Sequence, residues 1–139
     1  MSAQEKWPGL SPEMQEDAAA NEFSGIVGSV LVSETDEVRV WHLHLKPGYR
    51  CPFHRHVLNY FWTCHSHGSA RNYFEDGTTK EVRHFPGDTR HLYFGKGESM
   101  LHSVMNTGDT DLLFTTVEFK QSPNAPLPIP DSVRLKIPA

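Results

Sequence analysis

Between residues 38 and 45 the chain alternates. Val38, Val40, His42 and His44 take one parity, and Arg39, Trp41, Leu43 and Leu45 take the other. A two-residue period puts the two sets on opposite faces of a strand. Strand-like runs also cover 25–32, which is rich in Val and Ile, and 60–64, 91–94, 100–106 and 112–119. Lys46-Pro47-Gly48, Pro86-Gly87-Asp88, Gly95-Lys96-Gly97 and Thr107-Gly108-Asp109 separate these runs as turns. The runs 72–75 and 78–83 flank Asp76-Gly77, which predicts a tight two-residue hairpin. Turn signals thus recur roughly every ten residues, the rhythm of an all-β sandwich or barrel. No helical crossover follows Phe23, which excludes a parallel α/β sheet.

The two ends differ from this middle. Residues 1–22 are polar and Ala-rich. Ser11-Pro12-Glu13 predicts a helix start, with Ser11 as N-cap and Pro12 in the first helical position. The apolar periodicity over 14–21 is weak, so this segment is expected as an arm outside the core. Residues 23–120 are expected to form the barrel. The remainder, 121–139, holds Pro123, Pro126, Pro128, Pro130 and Pro138 and cannot sit inside a sheet or helix. Its apolar residues, Leu127, Ile129, Val133, Leu135 and Ile137, predict an extended tail docked on a partner subunit or on the outside of the barrel. The run 25–32 and this tail are the candidates for a two-fold homodimer contact.

Composition narrows the function classes. The chain has 139 residues, enough for one domain with its own core. The formal net charge is -4, which argues against nucleic acid as a partner. No apolar stretch approaches the roughly 20 residues of a membrane helix, so no membrane role is expected. Residues 1–10 carry Glu5, Trp7 and Pro8 with no apolar run behind them, so no export signal is expected. Cys51 and Cys64 are accordingly expected as reduced thiols in a cytoplasmic protein. Cys64 shares parity with Tyr60 and Trp62 and is expected to be a small buried residue.

Histidine is the unusual component. There are nine, and six of them form three His-x-His pairs. On a strand, His54 and His56 face the same side, and two convergent neutral imidazoles make most of a metal-binding face. A third ligand must come from another strand. His102 is the best candidate, with Asn106 four residues on. His42 and His44 share a face that either lines the barrel mouth or meets solvent. His65 and His67 offer a second metal face or a surface loop. His84 and His91 look ordinary. Arg55 alternates away from His54 and His56, which leaves Arg71 and Arg90 as anchors for a substrate carboxylate.

The order of these residues resembles the cupin family. Gly48, five residues, His54-x-His56 and then Gly68 looks like the first cupin motif, with Tyr60 or Phe61 where that motif has a glutamate. His102-Ser-Val-Met-Asn106 looks like the end of the second, although Gly95-Lys96-Gly97 replaces its usual Pro-x-Gly. The resemblance spans residues 38–119 and implies a small RmlC-like jelly-roll barrel. It further implies a divalent metal on His54, His56 and His102, with Fe(II) favoured over Mn, Ni or Zn. The missing glutamate leaves three routes: a three-histidine site with open positions, a fourth ligand from Asn59, Tyr60, His65 or His67, or loss of the metal with a binding pocket left behind. Tyr60, at the glutamate position, is the candidate catalytic residue. The implied activity is that of a metal-dependent enzyme on a small molecule, foremost a non-haem iron dioxygenase. Isomerase and decarboxylase chemistry also occur in the family. The alternative is a non-catalytic module that binds a small molecule or metal. Three neutral ligands leave a dipositive ion uncompensated, which favours an anionic substrate.

Overall fold

The computed structural model describes residues 2–138; Met1 and Ala139, the outermost residues of the arm and the tail, lie outside the described residues. Nine strands form two antiparallel sheets. The five-stranded sheet runs β1 (Val30–Glu34), β2 (Val38–Leu45), β9 (Leu112–Phe119), β4 (Tyr60–Cys64), β7 (Thr89–Leu92). The four-stranded sheet runs β3 (His54–His56), β8 (Met100–Asn106), β5 (Gly68–Phe74), β6 (Thr79–His84). Strand β2 shows how the pattern becomes structure. Its Arg39, Trp41 and Leu45 are buried, while His42 and His44 are exposed on the other face. Its eight residues all pair with β9, from Val38 opposite Phe119 to Leu45 opposite Leu112.

Two local expectations are corrected. The run 25–32 is not one strand, because β1 starts at Val30. Gly28 lies so close to β2 that a Cβ there would sit 2.8 Å from Trp41 Cβ. The chain therefore passes over Trp41 as irregular backbone, and Val27 packs with Leu31 and Trp41. The hairpin between β5 and β6 has three loop residues rather than two. Phe74 N–H donates to Thr78 O (3.0 Å) and Gly77 N–H donates to Phe74 O (2.9 Å). A two-residue type I′ turn needs positive φ at both central positions. Here Gly77 (φ 89°) has it and no non-glycine residue does, so Glu75 and Asp76 form an ordinary turn that Gly77 closes.

The N-terminal segment is also not outside the core. It forms α1 (Ala3–Lys6) and α2 (Pro12–Ala20), with Ser11 Oγ accepting from Met14 N–H as expected of the N-cap. Trp7, Leu10 and Ala18 are buried with Phe53 and Leu101. The weak helical periodicity concealed this, because Trp7 and Leu10 lie between the helices. Asp17 then ties α2 to the segment that enters β3: it pairs with Arg50 (2.7 Å) and accepts from Phe53 N–H (3.2 Å).

The chain beyond β9 lies on its own barrel, beside β1. Arg39 donates to Leu127 O (2.9 Å), and Leu135 N–H donates to Leu31 O (2.8 Å). Glu34 collects Arg134 (2.7 Å), Arg39 (2.9 Å) and Lys120 (3.2 Å). Partial burial would raise its carboxyl, but the three cations outweigh that and hold it down at about 2.

Candidate metal centre

Pairing of β3 with β8 sets His54 directly opposite His102. His56 lies two residues along the same strand and faces the same way. The three rings converge. Their centroids are 4.9 Å apart for His54–His56, 4.7 Å for His54–His102 and 5.1 Å for His56–His102. One nitrogen from each lies within 4.8 Å of the others, and all three side chains are buried. No carboxylate or thiol of a described residue joins the group.

The supporting residues explain why the rings sit there. The turn at Gly48 (φ 81°) reverses the chain after β2, and Cys51 N–H then donates to Val104 O (3.0 Å), which keeps the approach to β3 alongside β8. Asn106, at the far end of β8, is a structural tie. Its side chain donates to Leu45 O (2.8 Å) and Thr110 O (2.7 Å) and accepts from Gly108 N–H (2.9 Å).

Each imidazole is prepared as a neutral ligand. His54 Nδ1–H donates to Pro52 O (3.0 Å), and since a carbonyl only accepts, the proton sits on Nδ1 and Nε2 keeps its lone pair. Burial pulls His54 down to about 4, against its hydrogen bond to Pro52. Burial also pulls His56 and His102 well below the ordinary imidazole value, and the neighbouring histidines add to the effect. The Nδ1 atoms of His56 and His102 are buried with no hydrogen-bond partner among the described residues. Leaving a buried polar atom unpaired costs about 1–3 kcal/mol. Three close, neutral imidazoles with orphaned nitrogens fit a divalent cation of the borderline kind.

Tyr60 is the residue that occupies the glutamate position on the inner face. Its ring stacks on His56 (4.1 Å between centroids, 10° between planes). Phe61 points outward, against His91 and Phe119. Burial foremost, and then the Glu118 carboxylate, push the Tyr60 hydroxyl up, while Arg90 pulls it down; the hydroxyl keeps its proton at neutral pH. It borders a cavity of about 300 Å³ that the three histidines also line.

The other candidate ligands are engaged elsewhere. Asn59 Oδ1 accepts from Phe94 N–H (2.8 Å), fixing a loop. His65 bonds Thr115 Oγ1 (2.8 Å) and His67 is exposed. His44 pairs with Asp111 (2.7 Å) on the outer face, so the pair at 42 and 44 meets solvent rather than the barrel mouth. Arg55 faces away, donating to Glu22 O (2.6 Å) and Ser99 Oγ (2.6 Å). Arg71 is occupied by Glu81, whereas Arg90 lines the cavity. Both cysteines are buried as free thiols in one apolar cluster with Leu45, Val104 and Phe114.

Two residues escaped the sequence reading. His84 is buried in the cavity wall, edge-on to Trp62 and Phe114, with Nδ1 bonded to Asp88 Oδ2 (2.9 Å). The signal was present, since a Pro-Gly turn between His84 and Asp88 brings them together. Glu118 is a buried carboxyl that accepts from Trp41 Nε1–H (2.8 Å), and burial pushes it up to about 7. Its parity with Phe114 and Thr116 on β9 was the available signal.

No family model matches the sequence, and no curated protein matches it. Solved structures do. A cupin domain from Bordetella pertussis Tohama I superposes with a TM-score of 0.56 at 23% identity, over 63% of this chain and 86% of that one. A conserved protein with a double-stranded β-helix domain from Klebsiella pneumoniae gives a TM-score of 0.52 at 26% identity, over 72% of each chain. An RmlC-like cupin family protein from Methanocaldococcus jannaschii gives 0.51 at 18% identity, over 63% of this chain and 73% of that one. Among the described residues, no helix is long and apolar enough to cross a membrane. With two antiparallel sheets in this order, and neighbours of this kind, the chain has the cupin fold, a double-stranded β-helix.

Proposed function

We propose that this protein is a metal-dependent enzyme acting on a small molecule, with ferrous iron held by His54, His56 and His102 and oxygen-dependent chemistry as the favoured reaction class. The observation that carries the reading is the convergence of three buried, neutral imidazoles on one point of a lined cavity. Such iron supplies Lewis-acid polarisation of a substrate and a path for electrons to dioxygen. Imidazole also suits Mn, Ni and Zn, so the ion's identity is a matter for measurement.

The chain's own contribution is threefold in this reading. His54 is held in one tautomer by Pro52, which orients its lone pair without a reorganisation step. No carboxylate balances the ion, so an anionic substrate is the natural partner. Tyr60 keeps a proton on its hydroxyl at the cavity edge, where it serves as hydrogen-bond donor or acid to the substrate. A homodimer in the cytoplasm completes the proposal.

Nitric oxide tests the open coordination that oxygen chemistry needs, without knowledge of the substrate. The Fe(II)-loaded protein, prepared anaerobically, is expected to give a high-spin iron–nitrosyl signal by electron paramagnetic resonance. A Tyr60→Phe variant should keep that signal, because Tyr60 acts on substrate rather than on the ion. Failure to take up Fe(II), or uptake with no nitrosyl signal, would favour the non-catalytic binding module.

A further inference from the structure

The cavity is charged unevenly. It is lined in part by the edge strands of the two sheets, β6 and β7, which the turn at 85–88 connects into a seam. Lys80 stands in register with Asn72, and Arg90 with Trp62; all four line the cavity. Register thus turns both cations toward the inner face, one from each sheet, on either side of the seam. Both residues are exposed, and neither has an ion-pair partner among the described residues. Arg83 also borders the cavity, but its register partner is Ser69 and its guanidinium lies 3.5 Å from Ser69 Oγ, on the outer face. Asp88 is the one carboxylate among the described lining residues, and His84 holds it.

Between these cations and the histidines the wall carries apolar Trp62, Val82, Leu92 and Phe114, with Asn72 and His84 as polar groups among them. One strand, β5, separates β6 from β8; Lys80 is in register with Asn72 and through it with Val104, two residues from His102, so the Lys80 and His102 backbones are about 12 Å apart at the usual strand spacing and rise. A volume of about 300 Å³ is at the small end for ligand pockets.

We propose that the cavity takes a small amphipathic carboxylate lengthwise: Lys80 and Arg90 hold the carboxylate at the seam, and the apolar body runs along the wall toward the three histidines. Placing the reacting end at the histidines rests on the metal reading above; the anion anchor itself does not. A guanidinium fork and an ammonium match a carboxylate through charge-assisted hydrogen bonds. The apolar residues of the wall favour an organic carboxylate over a bare inorganic anion.

Phenylacetate and its neutral isostere phenylacetamide are suitable probes, followed by calorimetry on metal-free protein. Phenylacetate is expected to bind at least tenfold more tightly than the amide or inorganic phosphate. The Lys80→Gln/Arg90→Gln variant should lose roughly tenfold per cation removed, with binding of the amide unchanged. Both side chains are exposed, so this variant is expected to fold, and its unfolding midpoint checks that. A His54→Ala/His102→Ala variant should still bind phenylacetate, which separates this anchor from the metal site. Equal binding of acid and amide would overturn the proposal. So would phosphate binding as tightly as phenylacetate, affinity unchanged in the Lys80/Arg90 variant, or no phenylacetate binding at millimolar concentration.

Discussion

Replacing Glu118 with glutamine is expected to stabilise the protein by about 1–3 kcal/mol at pH 8 and to change it little below pH 5. The carboxyl is buried, with the Trp41 indole as its hydrogen-bond donor, and burial raises it from 4.5 to about 7. An acid whose folded value is raised stabilises the protein while protonated. That stability is complete below 4.5 and is lost as pH rises through about 7, because the unfolded chain releases the proton first. A raised value of this size corresponds to roughly 3 kcal/mol at most. Glutamine accepts the Trp41 hydrogen bond without ever carrying charge. Denaturant unfolding of both proteins at pH 5 and pH 8 measures the effect; a difference that does not change with pH would contradict it.

The histidines act with the opposite sign. In the metal-free protein, acidification from pH 6.5 to about 4 is expected to remove about 3 kcal/mol of stability through His54 alone. Its folded value is depressed from 6.5 to about 4, so across that window the unfolded chain binds the proton and the folded chain does not. Stability is therefore retained above 6.5 and falls as pH falls. His56 and His102 are depressed too, by burial foremost and by the neighbouring His54, and deepen the loss. Three histidines outweigh one Glu118, so the wild-type protein weakens on acidification, and Glu118→Gln weakens more steeply still. A His102→Gln variant should flatten the slope. If its slope equals that of the wild-type protein, the imidazoles are not held neutral by burial. The same neutrality means that a metal ion displaces no proton from His54 Nε2 at neutral pH.

Much of the fold was legible because strands with one buried face alternate. Residues 41–45 of β2 display this, with Trp41, Leu43 and Leu45 turned inward and His42 and His44 outward, and the turn residues between runs placed most of the other strands. The histidine cluster was legible for the same reason: a shared face on β3 needs only a period of two, and the spacing to His102 fell in the cupin order. What escaped depends on contacts remote in sequence. The path over Trp41 that delays β1 is set by close packing at Gly28. Burial of Trp7 and Leu10 follows from docking against Phe53 and Leu101, not from any helical face. The choice between Arg71 and Arg90 required the register of β5 with β6 and of β4 with β7, which put Arg71 against Glu81 and Arg90 in the cavity. His84 looked ordinary until the turn closed it onto Asp88.

The central claim is that His54, His56 and His102 hold a metal ion, and the metal content of the purified protein tests it most directly. The wild-type protein, as isolated or after anaerobic loading with Fe(II), is expected to carry close to one ion per chain. The His54→Ala/His102→Ala variant, with its fold checked by circular dichroism, is expected to carry none. Absence of metal from both proteins, or equal metal in both, would contradict the account.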